Sequence, residues 1–206
     1  MKGLIRRAFF ERDPLICAAE LVGCELRWND CSGIIVETEA YSVKDDEACH
    51  TFARQGAQKF VATHRPGSAY VYLNYGMHWL LNVLVKNGDE DGFVLIRALE
   101  PIKGIEQMRQ RRMVEDLKSL CSGPGKLSAA LGVHGLDHGT DLCGNARRGF
   151  HGRGTNVEVV ADLRIGISKA THLPWRFLLK GSPFISVRQG AVKKIRAGSK
   201  RNRPGP

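Results

Sequence analysis

The stretch GIIVETEAY, residues 33–41, decides how this chain folds. Its β-branched residues Ile34, Ile35, Val36 and Thr38 suit an extended, pleated backbone, so the run reads as a strand. Alternation along it puts Glu37, Glu39 and Tyr41 on one face and Ile34, Val36, Thr38 and Ala40 on the other. Taken alone, two carboxylates on one face describe a solvated surface. The neighbouring strands change that reading. Residues 69–75 (AYVYLNY) follow the turn signal Pro66-Gly67, and residues 79–86 and 93–99 flank the polar loop 87–92, which predicts a hairpin. The run 93–99 is apolar except for Arg97. A guanidinium inside an apolar strand needs a carboxylate partner to offset its desolvation, and Glu39 is the candidate.

Further from this centre, residues 14–26 read as a helix whose apolar stripe, Leu15, Ala18, Ala19 and Val22, ends at Gly23. Pro101 is placed to open a helix running to about residue 120, and a short helix follows the turn at 123–125 and stops near Gly132. Strand-like runs recur at 157–160, 164–167, 177–179 and 184–187. Strands that arrive as hairpins, not alternating with helices, predict an α+β fold. The expected architecture is one domain over residues 1–190, a curved, largely antiparallel, open-barrel-like sheet with flanking helices. Residues 191–206 form a basic tail expected to be flexible.

The chain of 206 residues carries a net charge of +10, which favours a polyanionic partner such as nucleic acid. Seven basic residues and no acidic one lie beyond residue 187, whereas residues 37–47 hold five carboxylates. An acidic cluster in a basic protein marks a place where carboxylates have a specific task. The six cysteines form no Cys-x-x-Cys pair, so zinc is not expected, and free thiols in a reducing compartment are. The first ten residues lack the apolar run of a signal peptide, and no segment holds the ~20 apolar residues of a membrane span. A cytoplasmic protein, a monomer with no obligate protein partner, is the expectation, with nucleic acid as the favoured ligand and no membrane, metal or cofactor. Tyr70 and Tyr72 share a strand face and Tyr75 ends the run before Gly76. Flat rings, a carboxylate and a basic surface together suggest base flipping, in which a nucleotide is drawn out of the duplex.

Six ordered segments carry a family resemblance: IVETEAY (35–41), DDEACH (45–50), PGSAYVYLNYGMHWLLNV (66–83), VLIRALEP (94–101), CSGPGKL (121–127) and KGSPFISV (180–187). They resemble the alkyladenine, or 3-methyladenine, DNA glycosylase family over about residues 15–188. The resemblance implies a monofunctional hydrolase that everts alkylated or deaminated purines from double-stranded DNA and starts base excision repair. By position, Glu39 resembles the general base that activates water and Arg97 the arginine that holds it. Tyr41, His50 and Tyr72 resemble the walls around the flipped base. Asn82 resembles the pocket-floor residue that disfavours guanine, and Tyr75 the wedge that fills the gap in the duplex. Ser122 and Lys126 resemble phosphate contacts. The segment TFARQGAQKFVATHR (51–65) departs from the family, with Ala62 and Thr63 where a Met-Phe pair is usual. Arg54, Lys59 and Arg65 are candidates to replace its electrostatic contacts.

Three other readings compete. A non-catalytic damaged-DNA-binding protein on the same scaffold would need neither Glu39 nor Arg97. A helix-hairpin-helix glycosylase would need an Asp or a Schiff-base Lys after the hairpin, and LSAALGV (127–133) supplies neither. A phosphate-binding P-loop fails because Leu127 follows Gly125-Lys126.

Overall fold

The computed structural model describes residues 3–154 and 157–191. Eight antiparallel strands form one curled sheet: β1 (Glu25–Trp28), β2 (Cys31–Ser42), β3 (Ala69–Asn74), β4 (His78–Val85), β5 (Gly92–Lys103), β6 (Arg148–His151), β7 (Val159–Asp162) and β8 (Arg176–Leu179). Their spatial order is β3-β4-β5-β2-β1-β6, and β8 pairs with both β2 and β7. The helices are α1 (Pro14–Leu21), α2 (Gln55–Thr63), α3 (Ile105–Arg112), α4 (Leu117–Leu120) and α5 (Pro124–Leu131). The arrangement is the expected α+β domain. The predicted tail, apart from its first residue, lies outside the described residues.

The two central strands carry offsetting bulges that build the site. The register of β2 on β5 steps from Ile35/Leu99 to Glu37/Ala98, leaving Val36 as an extra residue, and then to Thr38/Ile96, leaving Arg97 as the extra one. Bulges bend and twist a strand pair, and each one-residue insertion reverses which face follows. Strict alternation therefore fails at Val36. Ile35 and Ala40 enter the main core, and Thr38 donates its hydroxyl to the Ala18 carbonyl of α1. Ile34 and Val36 instead pack with Ala98 and Phe184, on the side where Ser186 reaches Glu37. The predicted face of Glu37, Glu39 and Tyr41 survives; its assumed opposite face does not.

Several predicted boundaries are corrected. Helix α1 ends at Leu21, since Val22 is already extended and Gly23 has φ 87°, and residues 25–28 become β1. Its buried face is Pro14, Cys17, Ala18 and Leu21. Pro101 does not start a helix: it pairs with Gly33 inside β5, and α3 begins only after Gly104, at φ 73°. Met113 at φ 51° ends α3, and the carboxylate of Asp116 then caps α4. Residues 164–167 are not a strand, because Arg164 turns inward and Gly166 takes φ 74°. Residues 184–187 are not a strand either, since the Ser186 amide bonds a carboxylate instead of a neighbouring strand. Helix α2 and strand β6 were not predicted. The short helix ending at Gly132 was.

Candidate active site

Residue Glu39 is fully buried, behind residues that line a cavity of about 260 Å³. Leu95, its partner across the β2–β5 pairing, lines that cavity, as do Tyr41, Arg97 and Ile165. The last three are also the groups that hold its carboxylate. Oε2 accepts hydrogen bonds from the Tyr41 hydroxyl at 2.8 Å and Arg97 Nη1 at 3.2 Å, and Oε1 accepts one from the Ile165 amide at 2.7 Å. Glu37 is held more completely. It accepts from Arg97 Nε at 3.0 Å, Arg176 Nη1 at 3.1 Å, the Ser186 amide at 2.6 Å and the Ser186 hydroxyl at 2.8 Å. A carboxylate offers about four lone-pair positions. Glu37 accepts four hydrogen bonds, three of them crowded on Oε1, whereas Glu39 accepts two on Oε2 and one on Oε1, which keeps a position on Oε1.

Buried charge persists only when it is paired and hydrogen-bonded. Arg97 spans both glutamates, Arg176 joins Glu37 to Asp162 at 2.6 Å, and Arg164 pairs with Asp46 at 2.6 and 2.7 Å. Burial works against the charge on Arg97, but Glu39 and Glu37 outweigh it and raise its pKa. Burial, followed by the charge of Glu39, pushes the Tyr41 pKa far up, so its hydroxyl stays a donor to that carboxylate.

The remaining wall is aromatic and polar. His50, Tyr72, Tyr75 and Asn82 all line the same cavity. The His50 ring meets Tyr72 edge-on at 4.3 Å, and its Nδ1 lies 3.2 Å from the Tyr70 hydroxyl. Tyr70 lines the cavity too and stacks on Phe93 at 4.5 Å. Burial raises the pKa values of both Tyr70 and Tyr72. Asn82 is buried and donates its amide to the Tyr70 carbonyl at 3.1 Å.

Burial, seconded by the charge of Arg54, lowers the His50 pKa from 6.5 to about 4. Between those values the unfolded chain binds a proton that the folded protein does not, so this residue makes stability rise with pH across that window and fall as pH drops through it. His50→Gln, which does not titrate, is expected to flatten the rise. Urea midpoints measured from pH 4 to 7 check this, and an undiminished slope contradicts it.

Tyr75 stands at the rim, 81% exposed, on the turn between β3 and β4. The Met77 amide closes that turn on the Asn74 carbonyl at 3.1 Å, with Tyr75 at φ 49° and Gly76 at φ 69°. Two positive φ values match the tight hairpin turns that follow strand twist, at a strain cost for the tyrosine. Ser122 and Lys126 lie on either side in sequence of Pro124, which lines the cavity. Lys126 Nζ is 3.5 Å from the Ser122 hydroxyl, and no side chain caps the start of α5 at Gly123, which leaves its first amides open to an anion.

Of the predicted site residues, Tyr41, His50, Tyr72, Tyr75, Asn82 and Arg97 line one cavity and Glu39 is bonded to two of them, whereas Ser122 and Lys126 are not in its lining. Sequence reasoning missed Tyr70 as a wall, and Asp46, Arg164 and Ile165 behind it. The pair Tyr70 and Tyr72, two apart on one strand face, carried the signal for the first. Nothing local signalled the others. Arg54 lies with its guanidinium 5.5 Å from the ring centre of Tyr72, which lines the cavity. All six cysteines are buried. Among the described residues no cluster of three His, Cys, Asp or Glu could hold a metal ion, and no helix is long and apolar enough to cross a membrane.

Comparison with known proteins identifies the family. Residues 8–183 match the methylpurine-DNA glycosylase family. A protein of Rhodopseudomonas palustris (strain BisB18) is 47% identical over 182 residues, covering 88% of this chain and 90% of its own length. One from Bradyrhizobium diazoefficiens (strain USDA 110) is 41% identical over 182 residues, again 88% and 90% of the two chains. One from Rhizobium etli (strain CFN 42) is 44% identical, covering 87% of each. All three bear the provisional name 3-methyladenine DNA glycosylase. The chain belongs to the methylpurine-DNA glycosylase family, hydrolases of N-glycosyl bonds.

Proposed function

We propose that this protein is a monofunctional DNA glycosylase that everts alkylated or deaminated purines from duplex DNA and hydrolyses their N-glycosidic bond with water activated by Glu39. The observation that carries this reading is the one unused acceptor position of a carboxylate otherwise fixed by Tyr41, Arg97 and Ile165 beside the cavity. A water held there gives its proton to Glu39 as its oxygen bonds to C1′ of the deoxyribose. The C1′–N bond breaks, and the electron pair leaves with the purine. An alkylated purine carries positive charge and departs readily, so the enzyme supplies mainly a base and a positioned water, a contribution of ~10²–10⁴-fold from the base itself.

The walls serve the everted base: Tyr41, His50 and Tyr72 flank it, and Asn82 at the floor disfavours a 2-amino group. Tyr75 wedges into the duplex, offsetting part of an unstacking cost of a few kcal/mol. Ser122 and Lys126 hold phosphates, and the net charge of +10 draws the duplex to the surface.

Incubating the protein with a duplex containing a single hypoxanthine or alkylpurine, then treating with alkali, tests the reading. Strand scission at the lesion is expected. Retarded mobility with no abasic site would mean a non-catalytic damaged-DNA-binding protein instead. Tyr75→Ala is expected to raise the enzyme concentration needed for half-maximal capture of lesion duplex about tenfold, in keeping with roughly 1–3 kcal/mol per stacked ring. Its saturated single-turnover rate should change little; a rate collapse at saturation would move Tyr75 into the chemistry. Affinity for duplex should fall with a log–log salt slope of about −0.9 per neutralised phosphate, and a flat response would contradict phosphate binding.

A further inference from the structure

The ion pair Arg164–Asp46 is the most deeply buried charge pair outside the Glu37–Arg97–Glu39 cluster, with both side chains wholly inaccessible. Its placement is unusual in what it connects. Arg164 Nη1 donates to Asp46 Oδ2 at 2.6 Å and to the Ala40 carbonyl at 2.9 Å, and Nη2 donates to Asp46 Oδ1 at 2.7 Å. Ala40 is the residue between Glu39 and Tyr41. The guanidinium lies over the Tyr41 ring at 4.7 Å and the Trp175 ring at 5.1 Å. The next residue, Ile165, gives its amide to Glu39 Oε1, and residues 165–167 form one side of the cavity.

We infer that Arg164, locked by Asp46, is the positioning residue of this site: it fixes the irregular segment 163–167 against β2 so that the Ile165 amide orients Glu39 while Tyr41 is braced from behind. The inference rests on the reading of Glu39 as the base. Residues 163–167 belong to no strand, so no ladder of backbone hydrogen bonds sets their position. The bidentate fork sets it instead, a geometry that guanidinium provides and ammonium does not. Three features of the site then follow from one side chain. The Glu39 carboxylate is oriented through Oε1 by the Ile165 amide, with Oε2 on Tyr41 and Arg97 of the cavity lining. The Tyr41 ring is held with its far face against a cation. Ile165 and Ile167 are held as an apolar side wall. None of this requires Arg164 to touch the nucleotide.

A positioning role and a purely structural one separate in kinetics. Arg164→Lys keeps the charge but loses the fork. With enzyme in excess over lesion duplex, its saturated excision rate is expected to fall about 10²-fold, the scale of a misplacement near 1 Å. The affinity for undamaged duplex should stay within about twofold of the parent, since it depends neither on the orientation of Glu39 nor on the walls of the cavity. A folded Arg164→Lys that excises within about threefold of the parent rate, whatever its melting temperature, overturns the proposal. Should that variant not fold, Ile165→Pro leaves the ion pair in place and removes only the amide hydrogen aimed at Glu39, together with its side chain. Ile165→Ala is its control for the side chain. A rate loss in Ile165→Pro well beyond that of Ile165→Ala supports the proposal, and equal rates overturn it. Glu39→Gln measured alongside keeps the two readings apart. An active Glu39→Gln removes the base, whereas an inactive Glu39→Gln beside a fully active Ile165→Pro removes only the positioning device.

Discussion

Glu39→Gln is expected to lower saturated single-turnover excision by ~10²–10⁴-fold while still binding lesion duplex. The size follows from the loss of the proton acceptor, and the retained binding from the position of the residue. Glu39 is buried behind Tyr41, Arg97 and Leu95, so the surfaces that meet DNA keep their shape. The amide is nearly isosteric, and its oxygen can still accept from the Ile165 amide. Its NH₂ then faces Arg97 Nη1, donor against donor, which costs some stability but leaves Arg97 anchored on Glu37. Melting temperature and affinity for a lesion duplex, measured with the rate, separate the chemical loss from unfolding. Ordinary turnover by a folded Glu39→Gln would remove the residue from its proposed role.

Arg97→Met is expected to have the largest effect on the fold itself. Removing one partner of a buried ion pair costs about 3–5 kcal/mol, because the partner charge is left without compensation. Here the loss falls on two carboxylates. Glu37 keeps Arg176 and Ser186, but Glu39 keeps only Tyr41 and the Ile165 amide, with no cation. Against a total stability of roughly 5–15 kcal/mol for a domain, that loss moves a denaturation midpoint far. The double variant Glu39→Gln/Arg97→Met should recover part of it, since it removes the charge that Arg97→Met strands. Denaturant midpoints for the four proteins give the coupling directly. Strict additivity would mean that the two side chains do not sense each other.

Much of this was legible in the chain. GIIVETEAY announced its strand through β-branched residues, and the isolated Arg97 in an apolar run announced a buried pair with Glu39, which the 3.2 Å contact bears out. The hairpin around residues 87–92 and the helix ending at Gly132 were marked by polar turns and glycine. What could not be read is set by tertiary contacts. The face of Val36 depends on paired bulges, a property of two strands together. Arg97 also bonds Glu37, which shares that face but sits opposite Ala98 across the bulge. Pro101 looked like the start of a helix because proline suits that position, but it also fits a strand where its missing donor is tolerated beside a register shift. Arg164 and Asp46 are 118 residues apart and neither sits in a periodic pattern. Their pairing had no local signature.

The central claim is that an ionised Glu39, steadied by Arg97, stands one water away from C1′ of an everted purine. A crystal structure of Glu39→Gln bound to a duplex with one hypoxanthine tests it most directly. The account predicts the purine between Tyr41, His50 and Tyr72, Tyr75 in the gap it left, and C1′ within reach of the residue 39 side chain through a single water. A hypoxanthine still stacked in the helix, or a sugar on the side of the cavity away from residue 39, would contradict it.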